Sequence, residues 1–255
     1  MRRREKFVIA AILLSLGILS MQYVSLEWRY LAVGILTLIS FFVSGWALSD
    51  DLQKHEWLTI VPFPALYTMA VGLFYFLLPA HLLSKFAILA LFSVGMYGLY
   101  LTSNIFSVAK GRTIQLLHAA HAIGLLFTLL TSLLFTNTLF SLRLPFWVNG
   151  LGIGLVHFPL ILMSLWSVQL DKKITKTVVG LCSLLTLILV EVGIVISFYP
   201  LSVWNQALFI MALCYIGLGV FHNYLKGRLF ANTLTEYSLV AGFVALIFFL
   251  LFPGK

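Results

Sequence analysis

Four histidines, one glutamate and two asparagines supply most of the chemistry in this chain's apolar stretches. His118 and His121, three residues apart, share one face of a helix. At 1.5 Å per residue from Arg112 they lie roughly 9 and 14 Å from the end of their stretch. His222 closes another stretch on the same side, so three imidazoles at comparable depth have the donor type for a metal ion or, in opposed pairs, a haem iron. No thiolate or carboxylate joins them at that depth, and imidazole is at home near an interface. No metal and no cofactor is therefore assigned.

His157 shares a stripe with Asn149 and Ser164, and Pro159 beside it removes a backbone donor, kinks the helix and leaves the Leu155 carbonyl unpaired. Kink, spare carbonyl and imidazole make this the best single binding-site candidate. The alternative is a histidine satisfied by a neighbouring helix. Ser93, Tyr97, Tyr100 and Asn104 form a second stripe, which reads as an interhelical hydrogen-bond seam or as the lining of a polar path. Glu191 is the one carboxylate far from any expected interface, about 22 Å along its helix from Lys176. A charge there costs about 2.5–3.5 kcal/mol unless it is paired, protonated or wetted. Asn149 lies at nearly the same depth, so a Glu191 to Asn149 hydrogen bond is expected to hold the hairpin between their helices. The functional alternative couples proton entry at Glu191 to solute movement past His157.

These residues must be positioned by membrane-spanning helices. The chain is 62% hydrophobic and 9% charged over 255 residues, which leaves too little polar surface for a soluble globule. Apolar runs long enough to cross roughly 30 Å of hydrocarbon recur near 7–24, 30–48, 58–79, 86–107, 113–136, 146–168, 176–198, 203–224 and 236–252. No segment alternates as a barrel strand would. The expectation is an all-α polytopic bundle of about nine spans.

Charge sets the orientation. Arg2, Arg3, Arg4, Lys6, Lys54, Lys110, Arg112, Lys172, Lys173, Lys176, Lys226 and Arg228 fall on one side, against Arg29, Lys85, Arg143 and Lys255 on the other. The richer side is cytoplasmic by the positive-inside rule, which places the N-terminus inside and the C-terminus outside. The net charge of +8 then follows from topology and contact with anionic lipid headgroups, without nucleic acid. The first span follows a basic cluster but lacks an A-x-A site, and it reads as an uncleaved anchor.

A shift of 120 residues superposes Gly34 on Gly154, Ser44 on Ser164, Trp46 on Trp166 and Asp51 on Asp171. A shift of 121 places Val71, Gly72 and Pro79 on Val192, Gly193 and Pro200, and K-G-R recurs at Lys110 and Lys226. The pattern suggests two parallel four-helix units, 27–136 and 145–252, after one anchor helix, a plan that recurs among transporters.

Cys182 and Cys214 lack metal, redox or haem-attachment spacing and read as packing residues. No phosphate-binding loop, dinucleotide fingerprint or hydrolase elbow occurs. The stretches PFPALYTMAVGLFYFLLP (62–79) and SNIFSVAKGRTIQLLHAAHAIGLLFT (103–128) resemble a family of uncharacterised multi-spanning membrane proteins of candidate-phylum bacteria. Similarity continues through Leu144 to Trp147 and Leu165 to Val168. The resemblance implies a bacterial cytoplasmic membrane and carries no catalytic residues. Two readings stay open: a transporter of a small solute or lipid, and a non-transporting scaffold or envelope-assembly protein. A transferase acting on lipid-linked substrates is a third, but Asp50, Asp51 and Asp171 lack the D-x-x-D-G spacing of such metal sites.

Overall fold

A computed structural model describes residues 2–53, 56–78, 81–109, 116–171 and 173–251. Lys54, Pro79, Lys110, Gly111, Arg112, Lys172 and Lys255, which enter the charge count or the repeat, lie outside them. Among the described residues the chain is all-helical, and nine helices are long and apolar enough to cross a membrane. The chain is thus a polytopic helical membrane protein. It divides into two compact units, residues 1–127 and 128–255.

The first unit contains α1 (Arg3–Ser20), α2 (Arg29–Leu48), α3 (Glu56–Thr59), α4 (Pro62–Tyr75), α5 (Leu82–Val108) and the start of α6 (Leu116–Ser141). Its α1 buries Phe7, Ala10, Ala11, Leu14 and Ile18, one stripe at helical spacing, while Val8, Ile12 and Leu16 face outward. The α1 helix packs on α2 and α5, and α2 packs on α4. The third span differs from the expected continuous run, because it breaks at Ile60–Val61 into α3 and α4. Pro62 lacks the N–H that would have bonded back to Leu58 in α3, and Pro64 the one that would have bonded to Ile60, so Pro62 starts a new helix at its first position instead.

The second unit holds the rest of α6 with α7 (Phe146–Gln169), α8 (Lys176–Ile196), α9 (Val203–Leu225) and α10 (Ala231–Leu251). Helix starts are set by Thr175 and Ser202, whose hydroxyls accept from the N–H groups of Val178 and Asn205. The α7–α8 hairpin is the tightest pair. A Cβ on Gly150 would stand 2.8 Å from Ile194, and one on Gly154 would stand 3.2 Å from Val190. This G-x-x-x-G spacing lets the two backbones approach. Gly193 of α8 faces Ile153 of α7 just as Gly72 of α4 faces Val33 of α2. These four residues sit at positions matched by the shifts of 120 and 121. The last helix, α10, leans on α9 through Tyr237 against Gly219 and Phe248 against Phe209, and none of its apolar window is buried.

Candidate functional site

Pro159 lies inside α7 without ending it, and two residues earlier His157 is completely buried. The His157 Nδ1 is 2.9 Å from the Ile153 carbonyl, which can only accept, so that nitrogen carries the proton. Nε2 therefore accepts from the Ser132 hydroxyl at 2.7 Å. Both nitrogens are used and the ring is satisfied as a neutral imidazole by its own helix and by α6. A serine within reach of a histidine is also the start of a nucleophile and base pair. Here both residues are 0% exposed and Nδ1 is held by a carbonyl instead of an acid, so no substrate can reach the hydroxyl. This is a structural tie.

The other candidates separate. The expected Glu191 to Asn149 bond does not form. The Asn149 amide nitrogen instead donates to Ser197 Oγ at 3.0 Å and to the Leu144 carbonyl at 3.3 Å. Glu191 cannot compete, because α8 buries Val178, Cys182, Leu185, Leu189, Gly193 and Ile196. Position 191 is two residues from both Leu189 and Gly193, on the opposite side of the helix, and it is exposed. Among the described residues Glu191 has neither an ion pair nor a side-chain hydrogen bond.

His222 is half-buried at the end of α9, with Nε2 at 3.1 Å from both the hydroxyl and the carbonyl of Ser164. In the first unit, Ser44 bonds Tyr100 at 3.0 Å. Tyr100 is the buried member of the α5 stripe. Asn104, in the same stripe, is half-buried and makes no side-chain hydrogen bond among the described residues. The His121 ring lies 5.4 Å from that of Phe106, whereas His118 is exposed. Among the described residues no three His, Cys, Asp or Glu side chains are grouped to hold a metal.

Two polar clusters at the ends of the first unit went unread in the sequence. Where α1 begins, Arg3 pairs with Asp51 and Lys6 with Asp50, each at 2.8 Å. The Lys6 hydrogen bond holds the Asp50 carboxyl below the usual carboxylate range, with help from the positive charges of Lys6 and Arg3. Beside them Glu56, fully buried, accepts from the Gln53 N–H and the Ser107 hydroxyl at 2.7 and 2.8 Å. At the opposite end, Gln22, Arg29, Tyr75, Phe76, Leu78 and Lys85 line a cleft of about 150 Å³. The only sequence signal for it was that Arg29 and Lys85 belong to the minority of basic residues on that side. Compared with known proteins, the chain matches no family model, no curated protein and no solved structure.

Proposed function

We propose that this membrane protein is a non-transporting scaffold of the bacterial cytoplasmic membrane, N-terminus inside, that serves envelope assembly by holding a partner's transmembrane helix against α8. Its basic loops then contact anionic lipid headgroups. The observation that carries the reading is Glu191, exposed on a helix surface made chiefly of Leu184, Leu187, Ile188 and Val195. A charge at the centre of a spanning helix costs about 2.5–3.5 kcal/mol, and part of that cost remains for an unpaired Glu191. Escape to the nearer interface, five residues further on at the end of α8, is opposed only by the tilt of Cα–Cβ bonds toward the helix N-terminus. A partner helix with one lysine or arginine at that depth meets both demands, apolar packing and a counter-charge. His157, fully buried in the second unit, serves packing, so the main residue on which a solute route would have been built is already occupied.

A lipid transporter is the second reading, favoured by an apolar groove of about 220 Å³ between α9 and α10, lined by residues such as Phe209, Ala212, Val244 and Phe248. One experiment separates the two. The protein is reconstituted in phosphatidylcholine vesicles with a fluorescently labelled leucine–alanine spanning helix carrying a single lysine at the depth of Glu191. Energy transfer is expected with the wild type, and it should disappear with Glu191→Leu or with a lysine-free helix. Equal transfer in all three cases contradicts the scaffold reading.

A further inference from the structure

Every residue of the cleft opposite the α1 start sits at a helix end. Gln22 is in the turn Met21–Tyr23, Arg29 opens α2, Tyr75 and Phe76 end α4, Leu78 follows them, and Lys85 is in the first turn of α5. That places the cleft at the level where headgroups meet hydrocarbon. It holds two cations, and among the described residues no carboxylate is within ion-pair distance of either. The Arg29 guanidinium lies 5.0 Å from the centre of the Phe76 ring, and its Nε is buried without a hydrogen-bond partner among the described residues. The Tyr75 hydroxyl is likewise without a partner among the described residues, although Tyr75 is only 3% exposed. Unused buried donors are costly and rare in folded proteins, and here two of them line one wall with two positive charges and the Gln22 amide.

We infer that this cleft binds a phosphate group, held by Arg29 and Lys85 and by a hydrogen bond from Tyr75. Guanidinium and ammonium supply charge-assisted donors, and the phenol adds a neutral one directed at the same anion. At about 150 Å³ the space is smaller than the 300–1,000 Å³ typical of sites that enclose a whole ligand, so it suits a headgroup phosphate or a free phosphate ion. The inference does not rest on the Glu191 reading, since it uses other helices and another unit.

The full chain in maltoside detergent is titrated with dihexanoyl phosphatidylglycerol, with dihexanoyl phosphatidylcholine and with inorganic phosphate. Saturable binding of phosphatidylglycerol or of phosphate is expected, with phosphatidylcholine weaker. Binding of the lipid alone assigns the headgroup, and binding of phosphate just as tightly assigns the free anion. Arg29→Gln and Lys85→Gln should each weaken binding roughly tenfold, the value of one charge-assisted contact. Tyr75→Phe removes a hydroxyl that bonds nothing among the described residues, so it should unfold at or above the wild-type temperature and still bind several-fold more weakly. It keeps the test valid if the charge variants misfold. Arg143→Gln, an exposed cation outside the cleft and outside the basic loops, should change nothing. No saturable binding of either anion, phosphatidylcholine as tight as phosphatidylglycerol, wild-type affinity in Tyr75→Phe, or equal loss in the Arg143 variant each overturns the site.

Discussion

His157 shows what a polar side chain in a spanning helix must do. It has two ring nitrogens and finds a partner for each, Ser132 and Ile153. Ser132→Ala leaves Nε2 buried and unpaired, for which about 1–3 kcal/mol of stability should be lost in a detergent unfolding titration. Glu191→Leu should behave oppositely: since Glu191 bonds nothing among the described residues, the isolated protein should unfold at least as late as the wild type. A marked loss of stability in Glu191→Leu would restore the hairpin bond to Asn149. The sequence made His157 legible as a residue in need of partners, because a histidine in an apolar run has few choices. It could not place Glu191. Apolar residues surround α8, so nothing in its pattern fixes which side turns inward, and depth alone suggested Asn149. Small residues decided the rotation, with Gly193 admitting Ile153 and turning position 191 away.

Helices in this protein meet through glycine contacts and through charge clasps at their ends. Gly150→Leu should cost about 1–3 kcal/mol by overpacking against Ile194, whereas Gly180→Leu, with nothing within 4 Å among the described residues, should be neutral or slightly stabilising. The clasp that holds the α1 start is pH-sensitive in a defined direction. Asp50 is held below its ordinary value of 3.8, so the Lys6 to Asp50 tie is fully present above that value and is lost as pH falls through the lowered one. Protease cleavage near Arg4 should accelerate only below about pH 4, and Asp50→Asn should be cleaved at the fast rate at all pH values. Nine apolar runs were readable because hydrocarbon thickness sets their length. The break at Ile60–Val61 was also written in Pro62 and Pro64, but a window of apolar residues averages over it. The matched contacts Val33 to Gly72 and Ile153 to Gly193 are what an internal duplication would leave behind, but they differ in tightness: a methyl added at Gly193 would overlap Ile153 and should cost stability, whereas one at Gly72 would stand 3.6 Å from Val33 and should be tolerated.

On the scale of the whole molecule, the charge pattern and the helix count make one account. A reporter fused at Lys173 or Gly227 should be cytoplasmic and one after Lys255 external, and an internal C-terminus would contradict nine spans. The cleft of Arg29, Tyr75 and Lys85 was not legible in advance, because its residues come from four separate segments and converge only once the helices pack. The account holds that binding takes place on membrane-facing and interfacial surfaces while the polar groups inside the second unit are dry and structural. The most direct test is a thiol-accessibility scan in a Cys182→Ala, Cys214→Ala background, with single cysteines placed at 132, 153, 157 and 164. In sealed vesicles, a membrane-impermeant maleimide added to either side should leave all four unlabelled. Labelling at two or more of these positions would show water reaching His157, and the scaffold account would give way to a route through the protein.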